Sequence, residues 1–330
     1  MLFVQVDPTI EPVQIVEVRS VPLAAGRVTD ARALAVAGAA CISLTAVFIR
    51  LADVSPATSV FFRCALALPP LAVLAWREHR RSRRTSRADA VRFAVAGALL
   101  GVDFALWSQA IMLVGAGIST VLVSIQVAVV PLLSFLFLGT RIPARFVATI
   151  PVLFAGIALT AGVVDDGATS PDLLWGTLLA LLSGVAYAGY IFVVGGRGTA
   201  ATAGTQVLVS TAAAGVVGSA LGSVWGTVDL APGWAAFGWL AALAVSAQVL
   251  GWMLLGRSLP RLAPEVGATL LLLQPVLAIA AAMALLGERP STLQLVGCAT
   301  VVATAWYVAS RPTGPAERDS RSIDARSRPL

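Results

Sequence analysis

Residues 121–141 read VLVSIQVAVVPLLSFLFLGTR, and residues 269–289 read TLLLLQPVLAIAAAMALLGER. Both stretches are almost wholly apolar and have the length that a helix needs to cross about 30 Å of hydrocarbon. Inside lipid, each backbone N–H and C=O must find its partner within the segment, so such a run forms a helix. Strands of a membrane barrel would alternate apolar and polar residues, and these stretches do not. They therefore predict an all-α integral membrane protein.

Similar apolar runs recur along the chain. Of its 330 residues, 58% are hydrophobic and 12% are charged, whereas soluble domains have about 45–50% apolar and about 25% charged residues. The runs predict ten transmembrane helices at 33–52, 58–76, 93–113, 119–138, 147–163, 173–194, 204–226, 235–255, 266–286 and 292–310. We expect a cytoplasmic N-terminal segment over 1–30, five-helix units over 31–163 and 171–310, and a disordered cytoplasmic tail over 311–330.

The positive charge of the chain is carried by arginine alone. The net charge is +6, and all 23 basic residues are Arg. They lie between apolar runs, most densely in a predicted loop over 77–92, so they indicate membrane orientation rather than nucleic-acid binding. With the N-terminus in the cytoplasm, 20 arginines fall on the inner side and three on the outer side. We therefore expect a multi-pass protein of the plasma membrane with both termini in the cytoplasm.

The two quoted stretches are copies of one pattern. A shift of 148 positions aligns five residues of the first stretch with identical residues of the second: Leu122, Gln126, Leu138, Gly139 and Arg141 with Leu270, Gln274, Leu286, Gly287 and Arg289. Since each unit holds five predicted helices, an odd number, the second unit enters the membrane from the opposite side. Inverted units of this kind form two half-bundles with a site between them that can face either side.

The chain resembles EamA-type members of the drug/metabolite transporter superfamily over about 31–310. The resemblance lies in GVDFALWSQAIMLVGAGISTVLVSIQVAVVP and in SLPRLAPEVGATLLLLQPVLAIAAAMALLGERPSTLQLVGCATVVA, most specifically in Gln274–Pro275 and Gly287–Glu288–Arg289. It implies ten helices, both ends inside, and transport of small metabolites, amino acids, amines or drugs. The first unit departs from the pattern, with Val127 in place of Pro275 and Thr140 in place of Glu288. We expect the first departure to leave the fourth helix straighter than the ninth.

Asp103 is the sharpest candidate for function. It is the only acidic residue predicted at membrane depth, where a charge costs about 2.5–3.5 kcal/mol on insertion scales. It should therefore face the bundle interior, where it could take up and release a proton during transport. The alternative is a protonated carboxyl that only bonds a neighbouring helix. Trp107, four residues on, shares its face and could offer its ring to a cation, or could simply be packed.

Other polar and aromatic residues of the apolar runs are weaker candidates for lining a solute or proton pathway. They are Gln126 and Gln274 at matched positions, Gln248 and Trp252 on one face of the eighth helix, and Tyr187 and Tyr190 in the sixth. Each could instead hold neighbouring helices together. Arg63 lies about one turn inside the outer end of the second helix, where we expect it to snorkel to the interface or to guard the outer entrance for an anionic group.

The sequence favours a secondary transporter of a small solute by alternating access, with H+ as the candidate coupling ion. There is no phosphate-binding loop and no Lys, so the chain itself is no ATP-driven pump. One acid cannot form a protease dyad, and the sole histidine, His79, lies in the basic loop, so we expect no enzyme. Cys41, Cys64 and Cys298 lack metal spacing, and we expect neither metal nor cofactor. A lipid or headgroup flippase and a non-transporting scaffold stay open, as do monomer and homodimer.

Overall fold

The structure is a computed structural model that describes residues 25–81, 85–139, 144–162, 171–195, 203–258, 262 and 270–309. Within these ranges the chain is helical and has no strand. The helices are α1 (Ala25–Ser43), α2 (Thr45–Ala52), α3 (Pro56–Arg81), α4 (Arg87–Val114), α5 (Ala116–Val123), α6 (Gln126–Leu138), α7 (Ala144–Thr160), α8 (Pro171–Val194), α9 (Ala203–Gly222), α10 (Trp234–Leu243), α11 (Trp252–Ser258), α12 (Leu273–Leu286) and α13 (Thr292–Ala309). A π-helical segment, Ala244–Gly251, joins α10 to α11.

The long apolar helices confirm a multi-pass membrane protein. In the described part of the chain, seven helical stretches are long and apolar enough to cross a membrane: α1 with α2, α3, α4, α5 with α6, α8, α9, and α10 through α11. Three shorter apolar helices, α7, α12 and α13, coincide with the predicted fifth, ninth and tenth spans. Large apolar side chains such as Leu136 and Val216 are about 70% exposed, as expected of surfaces that face lipid. The predicted tail, 311–330, lies outside the described residues.

The predicted loop over 77–92 is wrong in most of its length. α3 continues to Arg81, and α4 already begins at Arg87. Ser86 is the N-cap of α4, because its side chain accepts a hydrogen bond from Asp89 N (3.0 Å). Arginine is a good helix former. A basic stretch therefore indicates which side of the membrane it lies on, but it does not predict a loop.

Several of the apolar stretches are interrupted near their middle. Leu44 separates α1 from α2, Ser124 and Ile125 separate α5 from α6, and Leu272 precedes α12. The fourth predicted helix is thus interrupted as well, just before Gln126, although Val127 stands where the second unit has Pro275. A proline at this matched position is therefore not required for an interruption.

The two units meet along several helix pairs. α4 packs against α8 and α9, α3 against α9, α5 against α12, and α7 against α13. The α4–α9 contact is very close, since a Cβ on Gly97 would lie 2.4 Å from Ser210 O and one on Gly101 would lie 2.7 Å from Ala214 O. Small residues thus let two backbones approach, and this approach places the side chains of α3, α4, α8 and α9 around one buried region.

Candidate functional site

Asp103 lies at the contact between the two units. Its side chain is 5% exposed, and Ser183 Oγ of α8 donates a hydrogen bond to Asp103 Oδ1 (2.5 Å). The next residue of α8, Gly184, packs directly on the α5–α6 interruption, where a Cβ would lie 2.8 Å from Val123 O. Asp103 is therefore buried in the bundle, as predicted, and its hydrogen-bond partner Ser183 belongs to the second unit.

Arg63 occupies this same region, and its predicted position at the membrane interface is wrong. Its side chain is 5% exposed, and Nε donates to Gln248 Oε1 (3.0 Å). Its Cζ lies 3.6 Å from the centroid of the Phe104 ring, so the guanidinium also has a cation–π partner. These contacts draw the side chain inward rather than toward water. Because Phe104 directly follows Asp103 in α4, this contact places the guanidinium near the acid, although the two form no direct ion pair in the described part of the chain.

Gln248 connects Arg63 to α9. Its Oε1 accepts from Arg63, and its Nε2 donates to Thr211 Oγ1 of α9 (3.0 Å). Gln248 is 1% exposed and lies in the π-helical segment, a type of irregularity that is often found at functional sites. We call Arg63, Asp103, Ser183, Thr211 and Gln248 the polar cluster.

Aromatic side chains border the polar cluster on the side of α8. The rings of Tyr187 and Tyr190 stack with centroids 5.8 Å apart, and Trp252 meets Tyr190 edge to face at 6.2 Å. Phe104, whose ring contacts the Arg63 guanidinium, packs in the same hydrophobic cluster as these three rings. The predicted lining residues Tyr187, Tyr190, Gln248 and Trp252 are thus brought together with Asp103.

Three other predicted residues form no side-chain hydrogen bond with the polar cluster among the described residues. Trp107 packs with an apolar group around Phe62 and Ile111, and its buried Nε1 has no hydrogen-bond partner. Gln126 starts α6, and its buried Oε1 is likewise unpartnered. Gln274 lies in the first turn of α12, where its backbone O accepts from Ser43 Oγ (3.1 Å). The two matched glutamines therefore lie just after helix interruptions, and neither belongs to the polar cluster.

Sequence reasoning missed Ser183 and Thr211. Single hydroxyl residues are common in apolar helices, where they can bond a carbonyl of their own helix, so neither position stands out. What distinguishes them is a partner on another helix, and that partner is distant in sequence. A search for hydroxyls one residue from a glycine would have found Ser183, which precedes Gly184.

A second cross-unit contact lies at the end of α12. Glu288 accepts hydrogen bonds from Ala116 N (2.6 Å) and Gly117 N (3.1 Å), the first turn of α5. A carboxylate at a helix N-terminus satisfies free N–H groups and the helix dipole. Gly115 leaves room for it, since a Cβ there would lie 2.9 Å from Glu288 Oε1. The carboxylate at this one end thus fastens the second unit to the first.

An open groove of about 590 Å³ is formed by α7 and α13, and small and hydroxyl residues such as Thr149 and Thr300 line it. Neither helix contributes to the polar cluster. Among the residues that the structure describes, no group of histidine, cysteine or acidic side chains is arranged to hold a metal ion.

Comparison with known proteins agrees with this architecture. The model of the EamA-like transporter family matches twice, over residues 31–162 and 174–310. No curated protein matches the chain. A solved structure titled "Crystal structure of protein" is similar with a TM-score of 0.56 and 18% identity, over 85% of this chain and 98% of its own, which shows a shared fold. The double match confirms the resemblance seen in the sequence and covers most of the chain. The chain therefore belongs to the EamA-like transporter family of membrane transporters.

Proposed function

We propose that the protein is a secondary active transporter that moves a small solute by alternating access and couples this movement to protons through Asp103. The observation that carries the proposal is the polar cluster, because its hydrogen bonds join the two units: Asp103 to Ser183, and Arg63 to Gln248. A rocking motion of one unit against the other would break and remake these bonds, which is what a transport site between two half-bundles requires.

The proposal includes ten membrane crossings in two inverted five-helix units. Its support is the pairing of helices at matched places of the two units: α3 with α9, α5 with α12, and α7 with α13. Such self-pairing is expected around a two-fold axis in the membrane plane. The distribution of arginine favours a plasma-membrane protein with both termini in the cytoplasm.

Proton coupling through Asp103 follows from the chemistry of its surroundings. A buried carboxylate is stable when it has a charged or hydrogen-bonding partner, and here Ser183 and the nearby Arg63 supply both. When the units separate, Ser183 of the second unit withdraws from Asp103, whereas Arg63 stays in the same unit as the acid. Loss of the Ser183 hydrogen bond then favours protonation of the carboxylate. Asp103 would thus exchange a proton once per cycle.

The test is uptake of radiolabelled solutes by proteoliposomes that carry an imposed pH gradient. We expect wild-type protein to move at least one small solute with a rate that depends on the gradient, and Asp103→Asn to lose that dependence. Asp89→Asn is the matched control, since Asp89 lies on the same helix but is only partly buried, in the first turn and outside the polar cluster. It should keep transport and its response to the gradient. Transport by Asp103→Asn that still follows the pH gradient would refute the proton role.

A further inference from the structure

We infer that Glu288 is the positioning residue of an external gate, because it holds the first turn of α5 at the outer edge of an apolar layer that separates the polar cluster from the outer face. The inference rests on the proposed function, since it assigns to one side chain the closure that alternating access requires on this side of the membrane. It also names the contact that must break before a solute enters or leaves there.

An apolar layer lies between the polar cluster and the end of the bundle where Glu288 is found. Its side chains come from both units, and each of them is less than one-tenth exposed. We call six of them, from α2, α3, α4, α5, α10 and α12, the external plug: Ala46, Phe62, Ile111, Ala116, Leu243 and Ala282. A packed apolar layer can close a path to water and ions without any charged group.

The external plug extends from the polar cluster to the Glu288 contact. At its inner edge, Phe62 directly precedes Arg63 in α3. At its outer edge, Ala116 is the residue whose backbone N–H binds Glu288 Oε1 (2.6 Å). Separation of α5 from the end of α12 would therefore uncover the plug from its outer edge.

Glu288 gives this edge a defined closed position. Its two carboxylate oxygens accept from two successive N–H groups of α5, those of Ala116 and Gly117. The helices are close here, since a Cβ on Gly117 would lie 3.3 Å from Ile279 Cα in α12. Apolar side chains exclude water, but the attraction between them is not directional. The directed bonds of Glu288 therefore determine how α5 sits over the plug.

The opposite end of the bundle carries a contact of the same chemistry. Glu78, near the end of α3, accepts from Gly204 N in the first turn of α9 (2.8 Å), and a Cβ on Gly204 would lie 2.7 Å from Glu78 Oε2. Gly115 lies against the Glu288 carboxylate in the same manner. α4 returns across the bundle between these two contacts, so they lie on opposite sides of the membrane. Glu78 therefore offers a control that removes a similar helix cap far from the external plug.

The test measures how fast a cysteine inside the external plug reacts with a membrane-impermeant methanethiosulfonate. The three native cysteines of the full chain are replaced by alanine, and the probe is Ala46→Cys on α2 or, separately, Ile111→Cys on α4. The reagent is added to right-side-out and to inside-out membrane vesicles. Arg289→Cys, at an exposed position next to Glu288, shows by its labelling which side of the membrane this end of the bundle faces.

We expect Glu288→Ala to raise the labelling rate of both probes from that side about five- to thirtyfold, the factor by which the loss of one helix cap shifts an equilibrium between two states. Glu288→Gln keeps one acceptor oxygen and should give a smaller rise. Glu78→Ala should leave the rate from that side unchanged, although it removes a similar cap. Size-exclusion profiles show which variants are folded, and Glu288→Gln keeps the test valid if Glu288→Ala is not.

Three results would overturn the inference. The first is a labelling rate that neither Glu288 variant changes, and the second is a probe that already reacts as fast as Arg289→Cys when Glu288 is intact. The third is an equal rise in Glu78→Ala, which would make the effect a general loosening of the bundle. Since none of these results depends on a solute, the gate can be refuted while the uptake test of the proposed function succeeds. If Glu288→Ala exposes the probes and no solute is taken up, the gate stands and the transport function fails.

Discussion

The matched helices α6 and α12 end in the same way, but the residues that follow their final glycines differ. Each begins just after an interruption, and each ends on a glycine with a left-handed backbone, φ 65° at Gly139 and φ 68° at Gly287. Thr140 follows the first glycine, whereas Glu288 follows the second and caps α5. Sequence repetition thus reproduces a helix and its ending, and in the second stretch the residue after the glycine also binds the other unit.

The largest expected effect comes from Gly115, which lies against the Glu288 carboxylate. Its φ of 90° and ψ of 165° suit glycine almost alone. Gly115→Ala should lower the free energy of unfolding by about 2–4 kcal/mol, the sum of backbone strain and a lost helix cap. Thermal unfolding in detergent measures this as a lower melting temperature.

Gly139 is the control for the Gly115 prediction. It also has a positive φ, but nothing lies within 4 Å of a Cβ built there. Gly139→Ala should therefore cost only the left-handed strain, about 1–2 kcal/mol. Equal losses for the two substitutions would contradict the importance of the Glu288 contact.

Removal of the Glu288 carboxylate should have an intermediate effect. Glu288→Ala leaves the N–H groups of Ala116 and Gly117 without this acceptor, and we expect a loss of about 1–2 kcal/mol. Glu288→Gln keeps an acceptor oxygen and should lose less. Thr140→Ala, the same change at the matched position, should alter the melting temperature least. If Thr140→Ala were as harmful as Glu288→Ala, the two ends would be equivalent and the asymmetry would be wrong.

The smallest expected effect on stability concerns Gln126. Its buried Oε1 has no hydrogen-bond partner, so Gln126→Leu removes an unsatisfied polar group and should raise the free energy of unfolding slightly, by about 1 kcal/mol. If Gln126 lines the pathway, transport falls while the melting temperature holds. A fall of both together would instead make Gln126 a structural residue.

The class of fold was predictable because each apolar run carries its own evidence: the length and composition of 121–138 require a helix whatever it packs against. The buried position of Asp103 was predictable for a similar reason, since an acid inside such a run is costly unless it faces the bundle interior. The position of Arg63 was not predictable, because it was judged from its distance to a helix end. Its actual position depends on Gln248, 185 residues away on a π-helical segment, and no periodicity in the sequence reveals that segment. The Glu288 contact depends in the same way on a partner in the other unit.

The most direct test is whether the polar cluster opens to each side of the membrane in turn. Thr211 is 1% exposed and bonds Gln248, whereas Val216 on the same helix is 73% exposed and would face lipid. In a chain whose three native cysteines are replaced by alanine, Thr211→Cys should react with a membrane-impermeant maleimide added from either side, and Val216→Cys should react from neither. Labelling of Thr211→Cys from one side only, or from neither, would contradict alternating access at this site.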